Sequence, residues 1–326
     1  MHRSRLMGLR RREVLFGLAT LLGAGSPPAF GAAQMQTVVD QTGRTVTIPT
    51  HPQRVVSLFD VFITLPLYEL GVPMVGSTRI GGRDVYALTD LYGKTADEAG
   101  LANVGSTGLS IDLERIASLA PDVIIADDSN LREVEQLARI APVYFVDGFA
   151  AEAVGFTTPR KLASLLSVEG KFEALNANYT ARVINLRNGI AKFGADRTFA
   201  VIMPLDQFYV TRSFGALTQV LGDLGFVVPD TIVARDPKAG FIPFSNEELP
   251  NMDADLVIVM PPYGSADQSP AGASEGMSQL FDGWDRFLPA AREDRIVHVP
   301  SRFAIVPTFA AAHRILDELE RDAVLR

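Results

Sequence analysis

The segment GKFEALNANYTARVINLRNGIAKF, residues 170–193, decides the fold of this chain. Its apolar residues are spaced by three or four positions, at Phe172, Leu175, Tyr179, Val183, Leu186, Ile190 and Phe193. This spacing is typical of one long amphipathic helix. At 1.5 Å per residue such a helix is about 35 Å long, roughly the size of a domain. A helix of that length in mid-chain predicts a connector between two folded halves.

Both flanking halves alternate strand patterns with helix patterns. Continuous apolar runs at 54–58 and 121–126 precede the helix, and similar runs at 199–203 and 256–260 follow it. Such runs are typical of strands buried in a parallel sheet, and the alternation predicts an α/β fold. The first half also opens on an expected hairpin over 37–48, which turns at Asp40–Gly43.

The predicted fold class is therefore α/β, with two Rossmann-like lobes joined by one long rigid α-helix. The expected boundaries are an export signal at 1–33, an N-terminal lobe at 34–156, a connecting helical segment at 157–195 and a C-terminal lobe at 196–326.

The first 33 residues have the pattern of an export signal. Arg10, Arg11 and Arg12 precede a short apolar run over 14–22, and small residues follow up to Ala33. Adjacent arginines favour the twin-arginine route, and we expect cleavage near Ala33 and a periplasmic mature protein. The alternative is a single membrane anchor, but the run is shorter than the 20 or so residues that span a bilayer.

Composition narrows the function classes. The chain has no cysteine, which excludes disulfides, thiolate metal sites and a lipid-modified N-terminal cysteine. Its formal charge is -8, whereas a general nucleic-acid binder carries an excess of basic charge, so we expect no nucleic-acid partner. His51, His298 and His313 lie far apart in sequence, which disfavours a site for bare metal ions. We expect no intrinsic cofactor and a monomer.

Several phrases together resemble one protein family. They are DQTGRTV (40–46), PQRVVS (52–57), LGVPMVG (70–76), DLERIASLAPDVIIA (112–126), LARIAPV (137–143), LGDLGF (221–226) and SNEEL (245–249). In this order they resemble the helical-backbone class (class III) of periplasmic binding proteins, which take up iron-siderophores and vitamin B12. The resemblance implies two lobes on one rigid helix, with a ligand held between them and delivered to an ABC permease dimer and its ATPase in the inner membrane.

The resemblance also implies how the protein meets its permease. Members of this class present one exposed glutamate from each lobe to arginine pockets on the permease dimer. Glu114, in the Asp-Leu-Glu-Arg phrase, matches the first position, and Glu247, in the Ser-Asn-Glu phrase, matches the second. The alternative is that each glutamate only favours the first turn of its own helix.

Ligands of α/β lobes meet the loops beyond the carboxyl ends of the parallel strands. Besides Phe59, Asp60, Phe241 and the loop 127–129, those loops supply our candidate ligand residues: Arg79, Arg83, Tyr86, Thr107, Tyr209, Arg212, Tyr263, Trp284 and Arg302. Guanidinium groups pair with chelate oxygens and aromatic rings pack the remainder, so this mixture favours an anionic iron chelate such as a ferric siderophore. Trp284 fits the core of the second lobe equally well.

Other functions stay open at this point. The loop 105–110, GSTGLS, lacks the arginine that twin-arginine-exported hydroxamate binders carry there, which leaves the type of siderophore open. Vitamin B12 and haem fit the same architecture, and a sensor that reports to a membrane receptor has the same sequence features. A secreted hydrolase is the alternative of a different class, since Asp127 and Asp128 form a carboxylate pair, but nucleophile-elbow and phosphate-loop motifs are absent.

Overall fold

The computed structural model describes residues 34–82, 84–146, 155–190, 197–211, 215–235, 241–252, 254–262 and 264–321. The export signal expected at 1–33 lies outside these residues. In the described part of the chain, no helix combines the length and the apolarity that crossing a membrane requires.

The described chain begins with a two-stranded antiparallel hairpin of β1 (Met35–Val39) and β2 (Thr45–Pro49). Asp40 forms its turn, because one carboxylate oxygen accepts from the backbone N–H groups of Thr42 at 3.0 Å and Arg44 at 2.9 Å. Gly43 supplies the positive φ of 83° that the turn needs. The hairpin predicted over 37–48 is confirmed.

The N-terminal lobe is built around a five-stranded parallel sheet in the order β5-β4-β3-β8-β9. Its strands are β3 (Val55–Ser57), β4 (Met74–Ser77), β5 (Ala102–Asn103), β8 (Val123–Asp127) and β9 (Val143–Val146), and β6 (Gly105–Ser106) and β7 (Ser110–Ile111) form a small separate hairpin. Its helices are α1 (Leu65–Glu69), α2 (Leu88–Tyr92), α3 (Leu113–Ser118) and α4 (Val134–Leu137). A π-helical turn, Asp60–Thr64, leads into α1.

The connector consists of α5 (Thr157–Leu165) and α6 (Glu169–Ile190). Helix α6 has 22 residues and is therefore about 33 Å long. Phe172, Tyr179 and Val183 are buried along one side of it, which confirms the apolar stripe expected from their spacing. Phe193, the last member of the predicted stripe, lies outside the described residues.

The C-terminal lobe contains a second five-stranded sheet in the order β12-β11-β10-β13-β14. Its strands are β10 (Phe199–Pro204), β11 (Phe208–Thr211), β12 (Phe241–Phe244), β13 (Leu256–Val259) and β14 (Ile296–His298). Its helices are α7 (Gly215–Leu224), α8 (Asp230–Val233), α9 (Pro270–Leu280), α10 (Trp284–Phe287), α11 (Pro289–Arg292), α12 (Ser301–Ala304) and α13 (Phe309–Arg321).

This second sheet is mixed, whereas the sequence pattern predicts parallel strands only. Strands β10, β13 and β14 are parallel, but β11 runs antiparallel to both β10 and β12. Only three residues connect β10 to β11, which is enough for an antiparallel hairpin but too short for the crossover that a parallel pair requires. Strand β12 lies at the edge, which is where a sheet tolerates a proline such as Pro243.

One hydrophobic core runs through both lobes and the connector. It joins Val55 and Val123 of the first sheet to Phe172 of α6 and to Val201 and Leu316 of the C-terminal lobe. The other face of each sheet has its own smaller core. The shared core places the ends of the two sheets on either side of one cleft.

Candidate functional site

A cavity of about 490 Å³ lies between the two lobes. The N-terminal lobe lines it with Phe59, Val61, Phe62, Ile80, Thr107, Gly108, Asp127, Asp128 and Ser129, and the C-terminal lobe lines it with Met203, Leu205, Tyr209, Phe241 and Ile305. Phe59, Asp128 and Leu205 follow closely on β3, β8 and β10, at the carboxyl ends of those parallel strands. The cleft therefore occupies the edge at which ligands of α/β lobes bind.

Most of the cavity wall is apolar and aromatic. Phe59 and Phe62 pack edge to face, with ring centroids 4.9 Å apart. On the opposite wall Tyr209 meets Phe241 at 6.4 Å and at an interplanar angle of 83°. Facing aromatic pairs of this kind favour a bulky ligand that has apolar surface.

A buried carboxylate, Asp60, organises the N-terminal wall. Asp60 is 0% exposed, and each of its oxygens accepts two hydrogen bonds. Oδ1 accepts from Val61 N at 3.0 Å and Thr107 Oγ1 at 3.0 Å, and Oδ2 accepts from Ile80 N at 2.8 Å and Tyr86 N at 3.3 Å. Burial raises the pKa of Asp60, and the bonds from Ile80 and Thr107 act against that rise. Four donors fill all the acceptor positions of an ionised carboxylate. Asp60 therefore connects its own loop to the loop that contains Ile80 and Tyr86 and to the loop that contains Thr107.

Thr107 is the member of this network that lines the cavity. Its hydroxyl donates its only hydrogen to Asp60, so the 2.8 Å contact with Thr78 requires Thr78 Oγ1 to donate to Thr107. The remaining capacity of the Thr107 hydroxyl is one acceptor lone pair. Thr107 therefore offers the cavity an acceptor and no donor.

Asp127 and Asp128 add two carboxylates to the same wall. Asp127, at the end of β8, is 4% exposed and accepts from Ser129 Oγ at 2.6 Å. Burial raises its pKa. Asp128 is exposed and begins a 3₁₀ turn over Asp128–Glu133. The two carboxylates of the pair therefore differ, because Asp127 is buried and Asp128 is exposed.

The two lobes are also tied together away from the cleft. Glu69, at the end of α1, accepts from Phe309 N at 2.8 Å and from Ala310 N at 2.7 Å, the first two N–H groups of α13. Arg302 of α12 pairs with Asp90 of α2 at 2.8 Å. Burial raises the pKa of Glu69, and the two backbone bonds oppose that rise.

The sequence-predicted ligand residues divide into three groups. Thr107 and Tyr209 line the cavity. Arg83, Arg212 and Tyr263 lie outside the described residues. The other four lie elsewhere: Arg79, Tyr86, Trp284 and Arg302.

The arginines among these four already have carboxylate partners. The Arg79 side chain is 11% exposed and binds Asp97 at 3.2 Å and the carbonyl of Leu101 at 3.1 Å. Arg302 is held by Asp90. The sequence placed both guanidinium groups at the cleft because they follow strand ends, but partners distant in sequence hold them elsewhere.

The two aromatic members are packing residues. Trp284 is 6% exposed and lies in the core behind the second sheet, which settles the choice between cleft and core. Tyr86 packs against the shared core, and burial raises its pKa to about 12. Sequence reasoning missed Phe62, Met203, Leu205 and Ile305, because an apolar residue of the cleft has no pattern that distinguishes it from a core residue.

Glu114 and Glu247 hold matching positions in the two lobes. Glu114 is the second residue of α3, after the N-cap Asp112, whose side chain accepts from Arg115 N at 2.8 Å. Glu247 is the second residue of the 3₁₀ turn Asn246–Asn251, after the N-cap Ser245. Both side chains are exposed, and no ion pair is formed by either one within the described part of the chain.

No group of three or more His, Asp or Glu side chains is placed to hold a metal ion in the residues that the structure describes. The walls of the cleft are apolar and carry a few fixed polar groups, which is typical of sites for small organic molecules.

Comparisons with known proteins agree with this architecture. The chain is 26% identical to the iron(3+)-hydroxamate-binding protein FhuD of Bacillus subtilis over 221 residues, 66% of each chain. It is 25% identical to the iron(3+)-hydroxamate-binding protein YxeB of the same organism, over 84% of this chain and 80% of YxeB. Its fold is similar to that of Staphylococcus aureus SirA complexed with staphyloferrin B, with a TM-score of 0.69 and 22% identity, over 87% of this chain and 97% of SirA.

The sequence profile described as periplasmic binding protein matches residues 63–303, well over half of the chain. With its two α/β lobes and the long helix that connects them, the chain belongs to the periplasmic binding protein family.

Proposed function

We propose that this protein is the solute-binding component of an ABC importer and that it captures a ferric siderophore or a related iron chelate in the cleft. The observation that carries the proposal is the 490 Å³ cavity between the lobes, whose walls are aromatic and whose size suits a small organic ligand. The mechanism is binding without chemistry. Iron arrives only as its chelate, and the protein needs no cofactor of its own.

The relatives support this ligand class. FhuD and YxeB of Bacillus subtilis are iron(3+)-hydroxamate-binding proteins, and SirA was solved with staphyloferrin B. Vitamin B12 and haem are the alternatives that the same architecture accommodates. A hydrolase finds less support, since the buried carboxylate Asp127 is bonded to Ser129 and lies against an apolar cavity.

Delivery completes the proposed function. The protein is exported by the signal at 1–33, whose adjacent arginines favour the twin-arginine route, and it works in the periplasm as a monomer. Glu114 and Glu247 dock it on an inner-membrane permease dimer, because two exposed carboxylates on a rigid body suit two arginine pockets.

Calorimetric titration with a panel of ligands tests the proposal. The panel contains a ferric hydroxamate, a ferric catecholate, ferric citrate, cobalamin and haem. We expect one class of ferric chelate to bind at 1:1 stoichiometry, and the iron-free chelator to bind more weakly. Binding of cobalamin or haem alone would overturn the iron assignment, and no binding across the panel would overturn the proposed ligand class. Calorimetry is preferred to tryptophan emission because Trp284 lies in the core.

A further inference from the structure

The charge and hydrogen-bonding character of the cleft points to a narrower class of ligand. We infer that the cleft selects a ferric chelate that is neutral or cationic and that presents an ammonium or N–H group to the acceptor wall, defined as Thr107, Asp127 and Asp128. This inference rests on the proposed function and deepens it.

Thr107 supplies the first reason. The Thr107 hydroxyl donates its hydrogen to Asp60. Asp60 already accepts from three backbone N–H groups, so it acts as the acceptor in this bond and not as the donor. Thr78 donates to the same hydroxyl. A ligand atom that meets Thr107 must therefore be a hydrogen-bond donor, because a ligand oxygen without hydrogen would face a lone pair.

The two carboxylates supply the second reason. Asp127 and Asp128 line the cavity side by side, and no described Lys or Arg forms an ion pair with either one. A chelate with three negative charges would bring like charges together in a cleft with apolar walls, where water screens them poorly. An ammonium group at the same place would be attracted to the carboxylates and could form charge-assisted hydrogen bonds with them.

The described basic side chains do not reverse this balance. The lining residues of the cavity include no Lys or Arg among the residues that the structure describes. Arg79 and Arg302, the two described candidates, are held by Asp97 and Asp90. The expectation of an anionic chelate, which the arginines favoured in the sequence, is not supported by where these two side chains lie.

The opposite wall suits the iron-bearing part of such a ligand. Tyr209 Oη accepts from Gln207 Nε2 at 3.1 Å, so its own O–H remains able to donate to a chelate oxygen. Phe241 and Met203 provide apolar surface beside it. The cleft is thus polarised, with a donor on the C-terminal wall and acceptors on the N-terminal wall.

A matched pair of ligands tests this inference by calorimetry. The pair is a linear ferric trihydroxamate that ends in a free primary ammonium and the same compound with that amine acetylated, and a ferric tris-catecholate with three negative charges is added. We expect the ammonium form to bind about tenfold more tightly than the acetylated form, and the tris-catecholate to bind more weakly than both. The preference should shrink as salt is raised.

Two variants locate the effect. Asp128→Asn should abolish the preference for the ammonium form, because it removes the exposed charge of the acceptor wall. Asp282→Asn removes the same charge from an exposed position that does not line the cavity, and should keep the preference. Equal or tighter binding of the acetylated form, or preferred binding of the tris-catecholate, would overturn the inference while leaving the proposed function intact. If no ferric chelate binds, the proposed function itself fails.

Discussion

Asp122 and Asp255 hold equivalent positions in the two lobes, each immediately before a central strand and each bonded to the residue before the neighbouring parallel strand. Asp122 precedes β8 and accepts from Gln53 N at 2.6 Å and Arg54 N at 3.1 Å, just ahead of β3. Asp255 precedes β13 and accepts from Thr198 N at 2.7 Å, just ahead of β10. The two lobes therefore share the same contact, which sets the register of two neighbouring parallel strands in each lobe.

Replacing Asp255 by Asn should destabilise the C-terminal lobe by about 1 kcal/mol, a low figure for a charged acceptor because the side chain is exposed. The bond from the Thr198 backbone lowers the pKa of Asp255. A lowered carboxyl pKa contributes stability that is present above the ordinary value and is lost as pH falls through the folded-state value. Urea unfolding at neutral and acid pH should show the two proteins converging at acid pH. If the difference in the free energy of unfolding between the two proteins is the same at both pH values, the stability does not come from the ionised carboxylate of Asp255.

Replacing Thr107 by Val should weaken both the fold and the site. The change keeps the shape but leaves buried Asp60 with one donor fewer, which costs about 1 to 3 kcal/mol in the free energy of unfolding. Thr107→Ser keeps the hydroxyl and should stay within about 1 kcal/mol of the natural protein. Chemical denaturation measures both. If the Val variant is as stable as the Ser variant, the hydrogen bond to Asp60 does not contribute to the free energy of unfolding.

Replacing Glu69 by Ala should loosen the tie between the lobes. Two N–H groups at the start of α13 lose their acceptor, and we expect a loss of about 2 kcal/mol in the free energy of unfolding. Glu135→Ala, at an exposed position on α4, is the matched control and should change stability by less than about 0.5 kcal/mol. Similar effects of the two changes would argue against a tie at Glu69.

Reversing the charge at Glu114 and Glu247 together should reduce uptake while ligand affinity stays unchanged. Lysine at both positions places like charges against the expected arginine pockets, which should lower transport at least about tenfold. Glu275→Lys, on the exposed side of α9, should leave transport unchanged. Uptake of radioactive iron chelate into cells and calorimetry on the purified variants separate the two properties. Full uptake by the double variant would exclude the docking role.

The architecture was accessible from the sequence because its signals are local and periodic. The stripe at Phe172, Tyr179 and Val183 predicts α6, and the apolar runs predict the parallel strands β8 and β13. Strands β11 and β12 escaped prediction because the alternating pattern favours parallel strands only, whereas β11 is antiparallel to both β10 and β12.

The site was less accessible because its polar groups depend on partners far along the chain. Thr107 and Tyr209 line the cavity as their loop positions suggest. Arg79 and Arg302 follow strand ends too, but Asp97 and Asp90 hold them, and Arg302 and Asp90 are 212 residues apart in sequence. Loop position predicts which residues are near the cleft, and only the tertiary fold decides which way a long side chain turns.

The ties at Glu69 and Arg302 have a consequence for the kinetics of capture. Together with α6 they join the lobes at three places, so the cavity exists before any chelate arrives. Capture is then one bimolecular step, and the observed rate constant should rise linearly with chelate concentration and reach no plateau. Chelates that fit the cleft well and poorly would enter at similar speeds, and the protein would distinguish them by how long each one stays.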